Sequence, residues 1–127
     1  MEKEIIGCNQ TAKAIGAYSQ LVKIGNMLYS SGQIALDPSS GKLVGDDIDA
    51  QTNRVMKSIG LMLAQAGSDF SKLIKVTVYL RNMNDFVKFN ERYQSYFGKK
   101  YPARSTVEVS NLPKQALLEI DFIAYCS

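Results

Sequence analysis

Three segments of the chain carry polar side chains where a fold does not obviously require them. The run 29–33 (Tyr-Ser-Ser-Gly-Gln) ends a predicted strand, so its backbone N–H groups and the Ser31 hydroxyl can bind an oxyanion. Arg104 opens another predicted strand, where a guanidinium can bind a carboxylate through two parallel hydrogen bonds. Glu119 lies within an apolar strand, where burial would raise its pKa toward values useful for proton transfer. Each also has an ordinary structural explanation. The run 29–33 can be a simple turn, Arg104 can form a surface salt bridge, and Glu119 can lie on a solvated strand face.

The sequence contains no histidine. This excludes Ser-His and Cys-His nucleophiles and every histidine-based metal centre, so proton transfer must fall to other side chains or to a positioned water. Phosphate-binding loops are absent as well, because no GxGxxG occurs and Gly41-Lys42 lacks the glycine five residues earlier. Cys8 and Cys126 form no CxxC pair and are predicted to be two free thiols that bind no zinc. These observations make nucleotide hydrolysis and dinucleotide redox chemistry unfavoured functions for this sequence.

Composition places the chain among ordinary globular proteins. Its 127 residues, 46% hydrophobic and 21% charged, predict one domain over 1–127. The net charge of +3 is spread along the chain, and the longest basic run is Lys99-Lys100, so a nucleic-acid partner is disfavoured. No apolar run reaches the roughly 18 residues that span a bilayer. The charged start Met1–Glu4 leads into no signal-peptide core, and we expect a cytoplasmic protein without a membrane partner.

Hydrophobic periodicity predicts seven elements of structure, five strands and two helices, and the apolar stripe of the second helix consists of Phe86, Phe89, Tyr93 and Phe97. The predicted elements are strands at 18–24 and 27–31, a helix at 47–66, a strand at 73–80, a helix at 84–98, and strands at 104–109 and 117–125. The turn Gly25-Asn26 joins the first two strands, Asp46 or Asp47 caps the first helix, and Gly67 ends it. The last two strands are close enough in sequence to form a hairpin.

Two helices can cover only one face of such a sheet. The period-two pattern of strand 73–80 places Ile74 on the same face as Val76. The last strand carries apolar residues on both faces, with Ile123 and Tyr125 on the side opposite to Ile120. Because a second copy of the chain is the simplest cover for that side, we predict an oligomer.

Three further polar residues have two interpretations each. Tyr18 can offer its hydroxyl to a ligand or lie half-buried in the core. Asn90, on the second predicted helix, can hold a substrate or fasten a loop. Lys114 can form a Schiff base, although a lysine in a turn is normally solvated with an ordinary pKa.

Taken together and in order, six segments closely resemble the RidA/YjgF family. They are 16–20 (GAYSQ), 30–34 (SSGQI), 84–90 (NDFVKFN), 102–105 (PARS), 112–114 (LPK) and 118–124 (LEIDFIA). The resemblance covers essentially the whole chain. It implies an α+β, chorismate-mutase-like fold with a mixed, mostly antiparallel sheet and two helices on one face. It also implies a homotrimer with a site in each cleft between neighbouring subunits.

The resemblance further implies an activity. Deaminating members of the family hydrolyse reactive enamines and imines, such as 2-aminoacrylate, to 2-keto acids and ammonia without a metal or an organic cofactor. By position, Arg104 would bind the substrate carboxylate, and Glu119 would position or activate the attacking water. The implied substrate-binding residues around this pair are Tyr18, Ser31, Gly32, Asn90 and Thr106.

The chain departs from the family pattern at two positions. Thr106 stands where many members have a cysteine, which removes a reactive thiol but keeps a hydroxyl. Ala17 stands where a proline usually precedes the tyrosine, which loosens that loop.

Three functions remain open at this point. An imine deaminase, a 2-iminobutanoate/2-iminopropanoate deaminase, needs Arg104 and Glu119 in one cleft. A non-catalytic regulatory trimer that binds 2-keto acids needs the arginine but not the glutamate. An endoribonuclease that inhibits translation needs a basic groove and an acid–base pair, which the scattered lysines do not offer.

Overall fold

One mixed sheet of six strands, described with all 127 residues in a computed structural model, carries two helices on one face. The strands are β1 (Glu4–Ile6), β2 (Leu21–Ile24), β3 (Met27–Ser30), β4 (Leu73–Leu80), β5 (Ala103–Glu108) and β6 (Leu118–Tyr125). The helices are α1 (Ile48–Gln65) and α2 (Phe86–Gln94), and three short 3-10 turns lie at Phe70–Lys72, Met83–Asp85 and Pro113–Gln115. The predicted α+β class with two helices on one face is therefore confirmed, whereas the homotrimer stays a prediction.

The strand order is β1-β2-β3-β6-β4-β5, in which only the β4–β5 pair is parallel. The predicted hairpin of the last two strands is wrong, because β6 lies between β3 and β4 while β5 forms an edge. Burial explains why β6, and not β5, takes the central position. Four alternate residues of β6 are completely or almost completely buried, as suits a central strand, whereas no residue of β5 is fully buried. The parallel β4–β5 pair is joined across α2, as parallel strands require.

The first helix follows its sequence signals closely. The Asp47 side chain accepts a hydrogen bond of 2.8 Å from the Ala50 backbone N–H, which satisfies one of the free donors at the helix start. Gly67 follows the helix with φ of 75°, a left-handed conformation that glycine adopts without strain. The apolar stripe of α1 packs on the sheet and is buried at Val55, Ile59 and Met62. Neither helix of the structure is both long and apolar enough to cross a membrane.

A β-bulge changes the predicted faces of β4. The register with β6 shifts between Leu73 and Lys75, so that Leu73 is buried and Ile74 is 42% exposed. The prediction for Ile74 was therefore wrong, because an unbroken period of two cannot anticipate the extra residue. Further differences are that β2 begins at Leu21 rather than at 18, that α2 ends at Gln94 rather than at 98, and that β1 was not predicted.

The face of the sheet away from the helices has no cover within the chain. Tyr29 is 44% exposed on this face, Val107 is 42% exposed and Tyr125 is 40% exposed. Ile123 is half-buried beside them. The apolar character that the sequence predicted for this side of β6 is present, together with the two carboxylates Glu119 and Asp121.

Candidate functional site

Arg104 lies on the helix side of the sheet, at the start of the edge strand β5. It pairs across the ladder with the buried Val76, so both side chains point toward the helices. One guanidinium nitrogen, Nη1, donates a hydrogen bond of 2.8 Å to Oδ1 of Asn90 on α2. The ion pair of the chain is made by Arg92 and Asp49, so Arg104 has no carboxylate partner. Four of the five guanidinium N–H donors are therefore free to bind an anion.

A cavity of about 370 Å³ opens beside this guanidinium. Its walls, which we call the Arg104 pocket, are Asn90, Tyr93, Gln94, Tyr101, Pro102 and Arg104. No acidic residue lines it, so the positive charge of the arginine is not neutralised. The pocket thus has the charge and the hydrogen-bond donors to bind a small carboxylate.

Three aromatic rings of α2 surround the guanidinium carbon of Arg104. The distances from this carbon to the ring centroids are 4.9 Å for Tyr93, 5.5 Å for Phe86 and 5.8 Å for Phe89. Rings at these distances stabilise a cation through their electron-rich faces. The spacing of the rings along α2 was visible in the sequence but was interpreted as core, because an apolar stripe at helical spacing does not reveal a cation beneath it.

Thr106 lies two residues beyond Arg104 on the same face of β5. Its hydroxyl oxygen is buried and has no hydrogen-bond partner within the chain. The chain itself therefore leaves this hydroxyl without a hydrogen bond. Asn90 was predicted to contact substrate, and the structure shows that its side-chain oxygen is already used by Arg104.

A second cavity, of about 340 Å³, lies around the Glu119 side chain. Among its walls, which we call the Glu119 pocket, are Tyr18, Gly32 and Lys114. Burial raises the pKa of the Glu119 carboxyl, and the neighbouring charge of Asp121 raises it further. A carboxylate whose proton affinity is raised in this way is suited to accept a proton from water.

The strand end before Gly32 is ordered by contacts within the chain. The Ser31 hydroxyl donates to the Ser19 carbonyl, and the Ser31 backbone N–H donates to the Gln20 carbonyl at 2.9 Å. No hydrogen bond within the chain uses the Gly32 N–H. Of the predicted oxyanion donors in this run, the backbone N–H of Gly32 is thus the available one.

Tyr18 and Lys114 lie at the rim of the Glu119 pocket. Tyr18 is 53% exposed, and its hydroxyl accepts a hydrogen bond of 3.4 Å from the Ile15 N–H. Its predicted alternative as a core residue is therefore wrong. Lys114 is exposed in the turn before β6 and has φ of 55°, an uncommon value for a residue other than glycine.

Arg104 and Glu119 lie on opposite faces of the sheet. Arg104 pairs with Val76 of β4, whereas Glu119 pairs with Tyr79 of the same strand on the other face. Strand β4 also separates β5 from β6, which places their backbones roughly 10 Å apart. Within one chain, Arg104 and Glu119 therefore do not meet in one cleft.

Comparisons with known proteins show the family to which the chain belongs. The model of the family described as Endoribonuclease L-PSP matches residues 8–126. A RutC family protein of Pyrococcus abyssi is 49% identical over 125 residues, which cover 98% of each protein. The chain belongs to the RidA/YjgF family. As a member, it is also 42% identical over 122 residues to a rat protein named 2-iminobutanoate/2-iminopropanoate deaminase, covering 96% of this chain and 89% of the rat protein.

Solved structures of Rid proteins have the same fold. The crystal structure of YyfA from Yersinia pestis, described as a conserved Rid family protein of unknown function, superposes with a TM-score of 0.94 at 46% identity. The match covers 98% of this chain and 99% of that protein. The fold of this RidA/YjgF protein is therefore shared along its whole length.

A Gly32→Ala variant of this RidA/YjgF protein is expected to keep its fold and to displace Glu119. A β-carbon at position 32 would lie 2.5 Å from Oε2 and 2.6 Å from Cδ of Glu119, so the carboxylate must move. A displacement of about 1 Å in a positioned catalytic group costs about 100-fold in rate. Imine hydrolysis and the melting temperature should be measured together. Gly98→Ala is the matched control, because a β-carbon there meets nothing within 4 Å; a wild-type rate for Gly32→Ala would contradict the expectation.

Proposed function

We propose that this protein hydrolyses reactive enamines and imines derived from amino acids, such as 2-aminoacrylate, to 2-keto acids and ammonia. The observation that carries the proposal is the Arg104 guanidinium, which lacks a carboxylate partner, has only one hydrogen bond within the chain and lines a small cavity. A planar guanidinium matches the two oxygens of a carboxylate, the group that every such imine carries. The name of the rat relative supports the same activity.

The proposed reaction uses Arg104 for orientation and Glu119 for proton transfer. Arg104 holds the substrate carboxylate through two parallel hydrogen bonds, which fixes the adjacent imine carbon. The ionised Glu119 accepts a proton from water while the water oxygen forms a bond to that carbon. The carbon–nitrogen double bond becomes single as Glu119 returns this proton to the nitrogen, which leaves an amine on the carbon that carries the new hydroxyl. Glu119 then transfers the hydroxyl proton to that amine, the carbon–nitrogen bond breaks, and ammonia leaves as the carbon–oxygen double bond of the 2-keto acid forms. Enamines enter after tautomerising to imines, so positioning and electrostatics supply most of the acceleration.

A single small substrate cannot contact both residues in one chain, because they lie in two pockets on opposite faces of the sheet. We therefore propose that the Arg104 pocket of one subunit joins the Glu119 pocket of its neighbour in a homotrimer. The apolar, uncovered sheet face supports such an assembly, since burying it in an interface stabilises the complex. In that cleft, Tyr18, the Gly32 N–H and Thr106 would complete the contacts to substrate.

Mixed trimers of two inactive variants test both the activity and the shared site. Arg104→Ala and Glu119→Gln chains with different tags are co-expressed, and trimers that carry both tags are purified. In a ring of three, each mixed trimer contains one cleft with both wild-type residues, so we expect about one third of wild-type imine hydrolysis. A ring of two would restore about one half instead. The measurement is keto-acid release from imines generated by an amino-acid oxidase.

The controls are doubly tagged wild-type trimers and a mixture of the two variants purified separately. Mixed trimers without activity would show that Arg104 and Glu119 do not complete each other's site. Wild-type protein that binds 2-keto acids without any turnover would favour the regulatory trimer. RNA cleavage that weakens steeply with salt would favour the endoribonuclease named in the family description.

A further inference from the structure

We propose that Tyr93 is a positioning residue for Arg104, and that it acts through its ring rather than through its hydroxyl. The inference rests on the proposed function in one respect, since it takes Arg104 to be the group that binds the substrate carboxylate. Tyr93 was expected only as part of the apolar stripe of the second helix.

The contact between Tyr93 and Arg104 is close and rigid. The ring centroid lies 4.9 Å from the guanidinium carbon, the shortest of the three aromatic contacts. Tyr93 is only 3% exposed, and its ring packs against Phe97 at 4.9 Å and against Phe89 at 5.4 Å. The ring therefore cannot turn away from the guanidinium without disturbing the packing of α2.

The hydroxyl of Tyr93 does not account for this arrangement. Its oxygen is buried and has no hydrogen-bond partner in the chain. Burial raises the pKa of Tyr93 to about 12, so the hydroxyl stays neutral and contributes no charge to Arg104. The loss of an unpartnered buried hydroxyl is tolerated better than the loss of a ring that fills the core.

An aromatic partner has an advantage over an acidic one at this position. A carboxylate beside Arg104 would occupy the in-plane N–H donors and compete with the substrate. A ring stabilises the cation and leaves those donors free, while the Asn90 oxygen uses only one of them. Because the side chain is already fixed before the ligand arrives, less conformational freedom is lost on binding.

The test compares Tyr93→Leu and Tyr93→Phe, with Phe70→Leu as the matched control, because the Phe70 ring belongs to the same aromatic cluster but packs on Tyr96 and Phe97 rather than on Tyr93. The probe is 2-oxobutanoate, the product of 2-iminobutanoate hydrolysis. We expect Tyr93→Leu to weaken its binding about 5- to 30-fold, as the loss of a desolvated cation–π contact implies, and to lower kcat as well as raise KM. Tyr93→Phe and Phe70→Leu should bind within about twofold of wild type, since both keep a ring at position 93 against Arg104.

A second readout follows Arg104 itself. The NMR order parameter of the Arg104 Nε–H, assigned by its loss in Arg104→Lys, should fall below about 0.6 in Tyr93→Leu and stay high in Phe70→Leu. The proposal would be overturned if Tyr93→Leu and wild type had the same Arg104 order parameter or the same affinity for 2-oxobutanoate. It would also be overturned if Tyr93→Phe bound 2-oxobutanoate as weakly as Tyr93→Leu, because the effect would then belong to the hydroxyl.

Failure of the proposed function is distinguishable from failure of this inference. Wild-type protein that binds 2-oxobutanoate without hydrolysing imines would refute the deaminase, while the affinities would still decide the role of Tyr93. Wild-type protein that does not bind 2-oxobutanoate would leave the decision to the order parameter of Arg104, which needs no ligand.

Discussion

An Arg104→Lys variant is expected to bind 2-keto acids weakly and to hydrolyse imines about 100-fold more slowly than wild type, because the reacting carbon is no longer held against its water. Lysine keeps the positive charge but supplies it as a mobile point, whereas the guanidinium meets both carboxylate oxygens with parallel donors. Arg104→Ala should bind neither substrate nor product. The measurements are the melting temperature, the affinity for 2-oxobutanoate and the rate of imine hydrolysis, all on one preparation of each variant.

The matched control for this prediction is Arg92→Lys. Arg92 belongs to α2, is exposed and pairs with Asp49 at 3.4 Å, so the same substitution is made away from both pockets. Its expected turnover is that of wild type. Wild-type hydrolysis in Arg104→Lys would mean that the charge alone matters and that the bidentate contact is wrong.

A Glu119→Gln variant should lose about two to four orders of magnitude in turnover, the usual contribution of a positioned acid or base. Glutamine keeps the size of the side chain and its hydrogen bonding but cannot accept the proton from water. The affinity for 2-oxobutanoate should persist, because Arg104 supplies it. Turnover and affinity are measured on the same protein, and unchanged turnover would assign the activation of water to backbone groups.

The pH dependence of the wild-type protein should carry the signature of Glu119. The active form is the carboxylate, so kcat/KM should fall as the pH drops through the pKa of Glu119, which burial holds above the ordinary value of 4.5. This acidic limb should be missing in Glu119→Gln. In Asp121→Asn the limb should move to lower pH, because the neighbouring negative charge that raises the Glu119 pKa is gone. An acidic limb that is the same in all three proteins would belong to another group.

The sequence predicted those elements whose signals are local. Helix α1 has a capping aspartate, an apolar stripe of period 3.6 and a terminating glycine, and all three operate in the structure. The partners of the last strands could not be predicted in the same way. Strand pairing depends on which strand buries more apolar surface, and β6 takes the central position that β5, adjacent in sequence, does not.

For the candidate site as well, the residue types could be predicted from the sequence, but the positions that depend on the tertiary fold could not. The types of Arg104 and Glu119 indicated a carboxylate binder and a proton acceptor, but their faces depend on the strand register. The surroundings of Arg104 were missed because Phe86 and Tyr93 satisfy the pattern of an ordinary core stripe. A residue pattern alone cannot tell a ring that packs on leucine from one that packs on a guanidinium.

The location of Arg104 and Glu119 on opposite faces has a consequence for how the activity depends on the amount of protein. Under the proposed assembly, an isolated chain is folded but inactive, and it becomes an enzyme only by meeting its neighbours. Well below the concentration at which trimers form, the rate should therefore fall with about the third power of the chain concentration, and not linearly. Dilution alone would then switch the catalyst off, and concentrating the sample would restore it without refolding.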